Sequence, residues 1–312
     1  MLRPEEYFEP LPQEDRDTQF IAIQSKSFAR NVWESFSRNR LALVGLILLA
    51  LLVCAAVFGP MLSPYPYDGM DAMRRTQPSS AAHWFGTDQM GRDILTRVLY
   101  GTRVSLLVGF ASTALNLVIG VLYGSIAGYV GGRVDRVMMR IVDVIYAVPA
   151  MIYMILLMLI FGSNIYSVML GICVNGWINM ARIVRSQVMS LKEQEFSVAA
   201  FVIGASRKRI LFRHLLLNSL GPIIVTVTLM IPQAIFTEAF LSFIGIGISA
   251  PMASLGTLAQ DAKMLMNVYP MQMVWPVLVI CIVIFSLNFI GEGLETALNP
   301  RGKRCWLNDC WR

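Results

Sequence analysis

Histidine is nearly absent from these 312 residues: His83 and His214 are the only two. No H-E-x-x-H stretch and no G-x-S-x-G turn occurs, so neither a helix-borne zinc site nor a nucleophile elbow is encoded. No catalytic residue and no metal ligand is expected. A phosphate-cradling G-x-x-x-x-G-K-[ST] loop is missing too, so the chain has no nucleotide site of its own. Cysteine is sparse. Cys54, Cys173 and Cys281 fall in apolar runs, and Cys305 and Cys310 fall in the last residues. The polar segment after the first apolar run has none, which excludes a disulfide framework there, and C-x4-C without a nearby histidine is a poor zinc site. Charge is also scarce, at 15% against about a quarter in ordinary soluble chains.

What the chain has instead is apolar surface: 56% of its residues are hydrophobic. A water-soluble domain of this length cannot hide that much, so the composition describes an all-α polytopic membrane protein. The net charge of +6 then points to basic loops on one side of the membrane, and no nucleic-acid partner is expected.

Six apolar runs are long enough to cross the hydrocarbon layer, near residues 41–62, 104–128, 142–161, 165–180, 220–243 and 274–290. The fourth is the weakest, because Asn175, Trp177 and Asn179 interrupt its end. Residues 1–40 are polar and hold seven acidic residues, so no signal peptide with a basic start is expected. Placing the N-terminus inside puts 20 of the 26 Lys and Arg on the cytoplasmic side, which makes both termini cytoplasmic. The chain then divides into three parts. Residues 1–40 are a cytoplasmic tail, 41–300 are the transmembrane unit, and 301–312 are a cytoplasmic C-terminal tail. Phe28, Val32, Trp33 and Phe36 share helical spacing near the end of the first part, which suits either an amphipathic helix on the membrane surface or a solvated linker.

Two polar stretches exceed what packed helices need: an outer segment, 63–103, and an inner loop, 182–218. In the outer one, Asp88 is a candidate N-cap for an amphipathic helix that feeds the second span. Ile94, Val98 and Leu99 form its apolar face, with Arg92, Asp93, Arg97 and Arg103 around the rest. The arginines suit either acidic groups on a partner or lipid headgroups. In the inner loop, residues 196–202 read as a short helix with Ala199 and Ala200 as a small-residue face. Gly204 then serves as a left-handed stop, and Ser206 is the N-cap of a second turn. Arg207, Lys208, Arg209 and Arg213 follow. From periodicity alone, a protein-docking helix and an ordinary interfacial helix fit equally.

Val198-Ala199-Ala200-x3-Gly204, followed after nine residues by His214, resembles the coupling-loop motif of ABC-importer permeases, Glu-Ala-Ala-x3-Gly-x9-Ile-x-Leu-Pro. Val198 stands in place of the motif's Glu and Leu217 in place of its Pro, while Leu216 matches. His83-Trp-Phe-Gly-Thr-Asp-Gln-Met-Gly-Arg-Asp93 and the residues on to Leu106 are similar to the outer signature of the C-type permease in oligopeptide and dipeptide importers. Gly128-Tyr-Val-Gly-Gly-Arg-Val-Asp135, Met180-Ala-Arg-Ile-Val-Arg185, Phe240-Leu-Ser-Phe-Ile-Gly245 and Asn288-Phe-Ile-Gly-Glu-Gly-Leu294 match as well. The resemblance covers residues 30–301.

It implies a type I ABC-importer permease in a bacterial cytoplasmic membrane. Its partners would be a sister permease, two ATPase subunits that carry ATP and Mg, an extracytoplasmic peptide-binding protein and membrane lipid. Glu195, Val198, Ala199, Ala200, Gly204, Ala205, Ser206, Arg207, Arg209 and His214 would form the ATPase-coupling loop. Asp88, Arg92, Asp93, Arg97 and Arg103 would face the binding protein. Relatives of this subunit also serve dipeptides, nickel chelates and other small solutes, and 181–195 looks nearest to the oligopeptide kind.

Polar groups inside spans are functional candidates. Glu238 reads as a pore-lining residue, as a structural one bonded to the sister subunit, or as the proton carrier of a self-sufficient secondary transporter. Gln233, Asn116 and Asn288 are further pore-lining candidates. Pro222 and Pro232 are expected to kink the fifth span where it borders a cavity. The 19 methionines show no repeated ligand spacing, so they read as packing.

Overall fold

The computed structural model describes residues 27–298. Cys305, Cys310, the rest of the C-terminal tail and most of the N-terminal tail lie outside the described residues. Among those described, helices dominate and no named strand forms. Five helices among the described residues are long and apolar enough to cross a membrane, and a bent helix pair makes a sixth where its two arms count as one span.

α1 (Phe28–Ser37) is the amphipathic helix. Its Phe36 is buried, and the ring sits where a β-carbon on Gly293 would come within 3.0 Å of it. Trp33 stays exposed. Asn39 accepts the Leu41 and Ala42 amides and so caps α2 (Arg40–Leu62), which buries little beyond Ala42, Gly45 and Ala56. Leu49 and Leu52 pack against the core, and Leu41, Val44, Ile47, Leu51 and Phe58 are apolar and exposed, as on a lipid-facing span.

α3 (Ile94–Val130) runs for 37 residues, about 55 Å at the α-helical rise. The expected surface helix and second span are therefore one continuous helix. Its N-cap is Asp93, which accepts the Thr96 amide, rather than Asp88. Asp88 instead closes the preceding turn by accepting the Met90 and Arg92 amides.

The third crossing also departs from expectation. α4 (Gly132–Ala147) starts directly after α3, and α5 (Ala150–Phe161) follows a break at Val148-Pro149, with the two arms bent by 79°. Proline disfavours the helical conformation for the residue before it, and Val148 is extended here. α6 (Ile165–Lys192), capped by Asn164, continues well past the expected end of the fourth span. Arg182 and Arg185 thus lie on a helix, paired with Asp143 and Asp135 of α4.

α7 (Glu195–Val202) follows, and then a helical stretch over 207–218 that includes a π-helical turn, Ile210–Leu215. α8 (Leu220–Phe243) has the bounds expected for the fifth span and keeps Pro232 inside it. α9 (Leu255–Lys263), which the apolar runs did not signal, opens with a capping box between Ser254 and Thr257. α10 (Pro270–Leu298) completes the described chain.

The closest helix pair is α3 with α6. Gly120, Gly124 and Gly128 recur every four residues along one stripe of α3. A β-carbon on them would lie 2.6 Å from Met180 Cβ, 2.4 Å from the Ala181 carbonyl and 2.7 Å from the Arg185 carbonyl. In lipid, where apolar burial gives helices little reason to associate, such small-residue stripes permit the close packing that does. We expect Gly124→Leu to force α3 and α6 apart, costing about 1–3 kcal/mol or more. Melting of the purified protein in detergent, compared with that of an outward-facing control such as Leu122→Ala, measures the effect.

Candidate functional site

Three regions gather the polar groups of this apolar chain. The first is the outer segment. Asp88 Oδ2 accepts the Arg92 Nε–H at 2.7 Å and also accepts from Arg97. Asp261, on α9, accepts from Arg92 at 3.3 Å and from both Arg97 terminal nitrogens at 3.2 Å. Asp93 accepts from the Thr96 hydroxyl and from His83 Nδ1, each at 2.8 Å. Gln272 of α10 donates to the Thr87 carbonyl, and Gln89 donates to the Asp261 carbonyl.

His83, Asp88, Arg92, Asp93 and Arg97 are all buried within the chain. This corrects the expectation that Asp88, Arg92, Asp93 and Arg97 face a binding protein. Their charges are already satisfied by one another and by Asp261, so they clamp the outer segment to α9. Arg103 is exposed, and Asp261 keeps 43% of its side chain accessible.

The second region surrounds Glu238, which is fully buried. Its carboxylate accepts from Ser105 at 2.7 Å and from Ser242 at 2.9 Å, with the Ser254 hydroxyl also in hydrogen-bonding range. Ser105 in turn accepts the Leu255 amide at the start of α9. Among the described residues, no lysine or arginine pairs with this carboxylate. Hydroxyls and the positive end of α9 compensate it instead. Enclosed in this way, Glu238 exposes no surface of its own to the crevice or to the outside of the chain, unlike the pore-lining residue expected. It is a structural junction of α3, α8 and α9.

Beside it lies a polar crevice between α3, α6 and α8, open at the bend of α4 and α5. Asn116, Asn175, Asn179, Gln233, Thr237 and Tyr146 line it. The structure brings Asn116 and Gln233 to the same crevice. It leaves out Asn288, which sits half-buried on α10. Asn175, Asn179 and Thr237 were missed. The interruption of the fourth apolar run by asparagines was the signal that pointed to the first two.

The third region is the inner loop. Gly204, at φ +84°, ends α7 in a Schellman arrangement: the Ala205 amide donates to the Ala200 carbonyl and the Gly204 amide to the Phe201 carbonyl. Ser206 caps the next turn by accepting the Arg209 amide. Glu195, Val198, Ala199, Gly204, Arg207 and Arg209 are exposed, while Ala205 and His214 are half-buried. Ala200 is the exception to the expected small-residue face. It turns inward and packs with Met180, Val184, Val188, Ile210 and Leu215. The outward surface is apolar: Phe201 is 65% exposed, Val202 79% and Ile203 85%.

Comparison with known proteins agrees with this architecture. The model of the binding-protein-dependent transport system inner membrane component matches residues 120–304, and that of the N-terminal TM domain of oligopeptide transport permease C matches residues 27–79. The chain belongs to the family of binding-protein-dependent transport system inner membrane components. It is a membrane transport component rather than an enzyme. The oligopeptide transport system permease protein OppC of Bacillus subtilis is 44% identical over 96% of this chain and 98% of its own length. The dipeptide permease DppC of the same organism is 40% identical over 96% of this chain and 94% of its own. OppC of Escherichia coli K12 is 41% identical over 91% and 94%. Among solved structures, an inward-facing form of the MetNI methionine ABC transporter superposes with a TM-score of 0.51 at 17% identity, covering 65% of this chain and 96% of that one. The fold is that of a type I ABC-importer permease.

Within this permease the outer clamp is a stability element. Asp88→Ala leaves Arg92 and Arg97 buried with half their compensation, a loss of about 3–5 kcal/mol for a buried pair. Asp261→Ala, at a partly accessible site, is expected to cost clearly less. Thermal melting of the two variants in the same detergent checks the order.

Proposed function

We propose that this permease forms half of the translocation path of an ATP-driven oligopeptide importer. On this reading a sister permease supplies the other half, two ATPase subunits hold ATP and Mg, and an extracytoplasmic binding protein delivers peptide. The 182–218 loop and both termini face the cytoplasm, and the outer segment faces the opposite side. The full-length similarity to permeases named for oligopeptides supports the substrate class, and peptide length is set mainly by the binding protein.

The observation that carries the reading is the outer face of α7. Val198, Phe201, Val202 and Ile203 stand exposed on a helix whose inner face is locked into the core through Ala200. An apolar surface on so firmly held a loop suits a partner protein, and the adjacent Arg207 and Arg209 add positive charge at its rim. Val198 occupies the position where the motif carries Glu, so the contact here is apolar rather than ionic. In transport, ATP-driven closure of the ATPases moves this loop, and the helices packed on it reopen the crevice toward the other side.

Reconstitution in liposomes with the partner subunits tests the reading: uptake of labelled peptide must follow ATP and not a proton gradient. Gly204→Glu places a β-carbon at φ +84° and a charge beside the apolar face. It is expected to lower ATP-driven uptake about tenfold or more, the scale of a lost interface hot spot, and to weaken co-purification of the ATPases. Unchanged uptake would sink the coupling role.

A further inference from the structure

Asn116 is only 2% exposed, yet its side-chain oxygen has no hydrogen-bond partner among the described residues, and neither does that of Asn175. Enclosed amide oxygens in native proteins nearly always find a donor, so two orphans in one place call for an outside one. Both belong to the same crevice, between α3, α6 and α8, and each stands near further amides: Asn179 and Gln233, both exposed to the opening.

The lining contains no lysine, arginine, aspartate or glutamate. Its remaining surface includes Ile172 and the flexible thioethers of Met154 and Met230, which adapt to varied shapes. Glu238, the one carboxylate deep in α8, is sealed off behind serines. A ligand held here is therefore recognised by neutral hydrogen bonding and not by charge.

We propose that this crevice is a binding track for the main chain of an extended peptide. The Asn116 and Asn175 oxygens accept peptide N–H groups, and the Asn179 and Gln233 amides serve successive carbonyls. The inference rests on the importer reading and names what that path recognises. An amide side chain carries the same donor and acceptor pair as a peptide bond. An extended peptide repeats that pair at every residue and turns its side chains away to alternate faces. Such a track holds peptides of any sequence, and it distinguishes them from solutes without amide N–H groups.

The test uses the whole complex in proteoliposomes with saturating binding protein and ATP. Asn116→Leu and Asn175→Leu together keep the volume and remove the acceptors. Uptake of neutral, lysine-containing and glutamate-containing tripeptides is expected to fall by one common factor, about tenfold for two lost hydrogen bonds. Gln233→Leu, at an exposed position that tolerates substitution, guards against a folding defect and is expected to reduce uptake about threefold. A photo-crosslinking side chain at Met230 should capture labelled peptide during turnover, and the double substitution should abolish that capture. Unchanged uptake overturns the track, as does a loss that follows peptide charge, or full capture by the double variant. If the unsubstituted complex moves no peptide with ATP, the importer reading fails first and the track fails with it.

Discussion

Gly120, Gly124 and Gly128 bring α3 so close to α6 that their neighbours are β-carbons and backbone carbonyls of the facing helix. At that distance α3 and α6 cannot slide or separate without opening a void, so they behave as one body. Parts of two regions are positioned by this body. Toward one end it carries Asn116 and Asn175 to the crevice. Toward the other it carries Val184 and Val188 to the cluster that seats Ala200 and Ile210 of the inner loop. On the proposed reading, a push on α7 is therefore felt at the crevice through packed helices rather than through a flexible linker.

A second body is assembled around α9. Its base is tied to α3 and α8 through Ser254, Ser105 and Glu238, and its tip is tied to the outer segment through Asp261, Arg92 and Arg97. Glu238 is a costly residue to enclose in an apolar interior without a cation. Three hydroxyls and a helix N-terminus offset that cost, and the result is a junction that fixes α9 against two spans at once. The outer clamp then holds 63–103 as a folded cap over the same helix.

Much of this was legible in the sequence because it rests on local rules. Hydropathy located the crossings, and α8 has the bounds that its apolar run predicts. The stop at Gly204 and the cap at Ser206 followed from backbone preferences of single residues. What could not be read depends on contacts between distant residues. Asp261 lies 164 residues from Arg97, so the arginines looked free to meet a partner, and nothing near Glu238 in the chain announces Ser105. α9 is too short and too mixed in polarity to stand out by periodicity. Two local signals were open to a better reading: Val148-Pro149 marks a break within the third crossing, and Asp93 competes with Asp88 as the cap of α3.

The distribution of charge bears on how such a chain can pass varied cargo. Several of its ionised groups are paired with one another: Asp135 with Arg185, Asp143 with Arg182, and Asp88 with Arg92 and Arg97. The crevice keeps only neutral amides and hydroxyls. A charge exposed in that low-dielectric position would bind one cargo charge tightly and repel the other, and a path that binds tightly releases slowly. Neutral amides give contacts of similar strength to any peptide bond. A lining without ionised side chains is thus the physical condition for a path that accepts cargo of either sign.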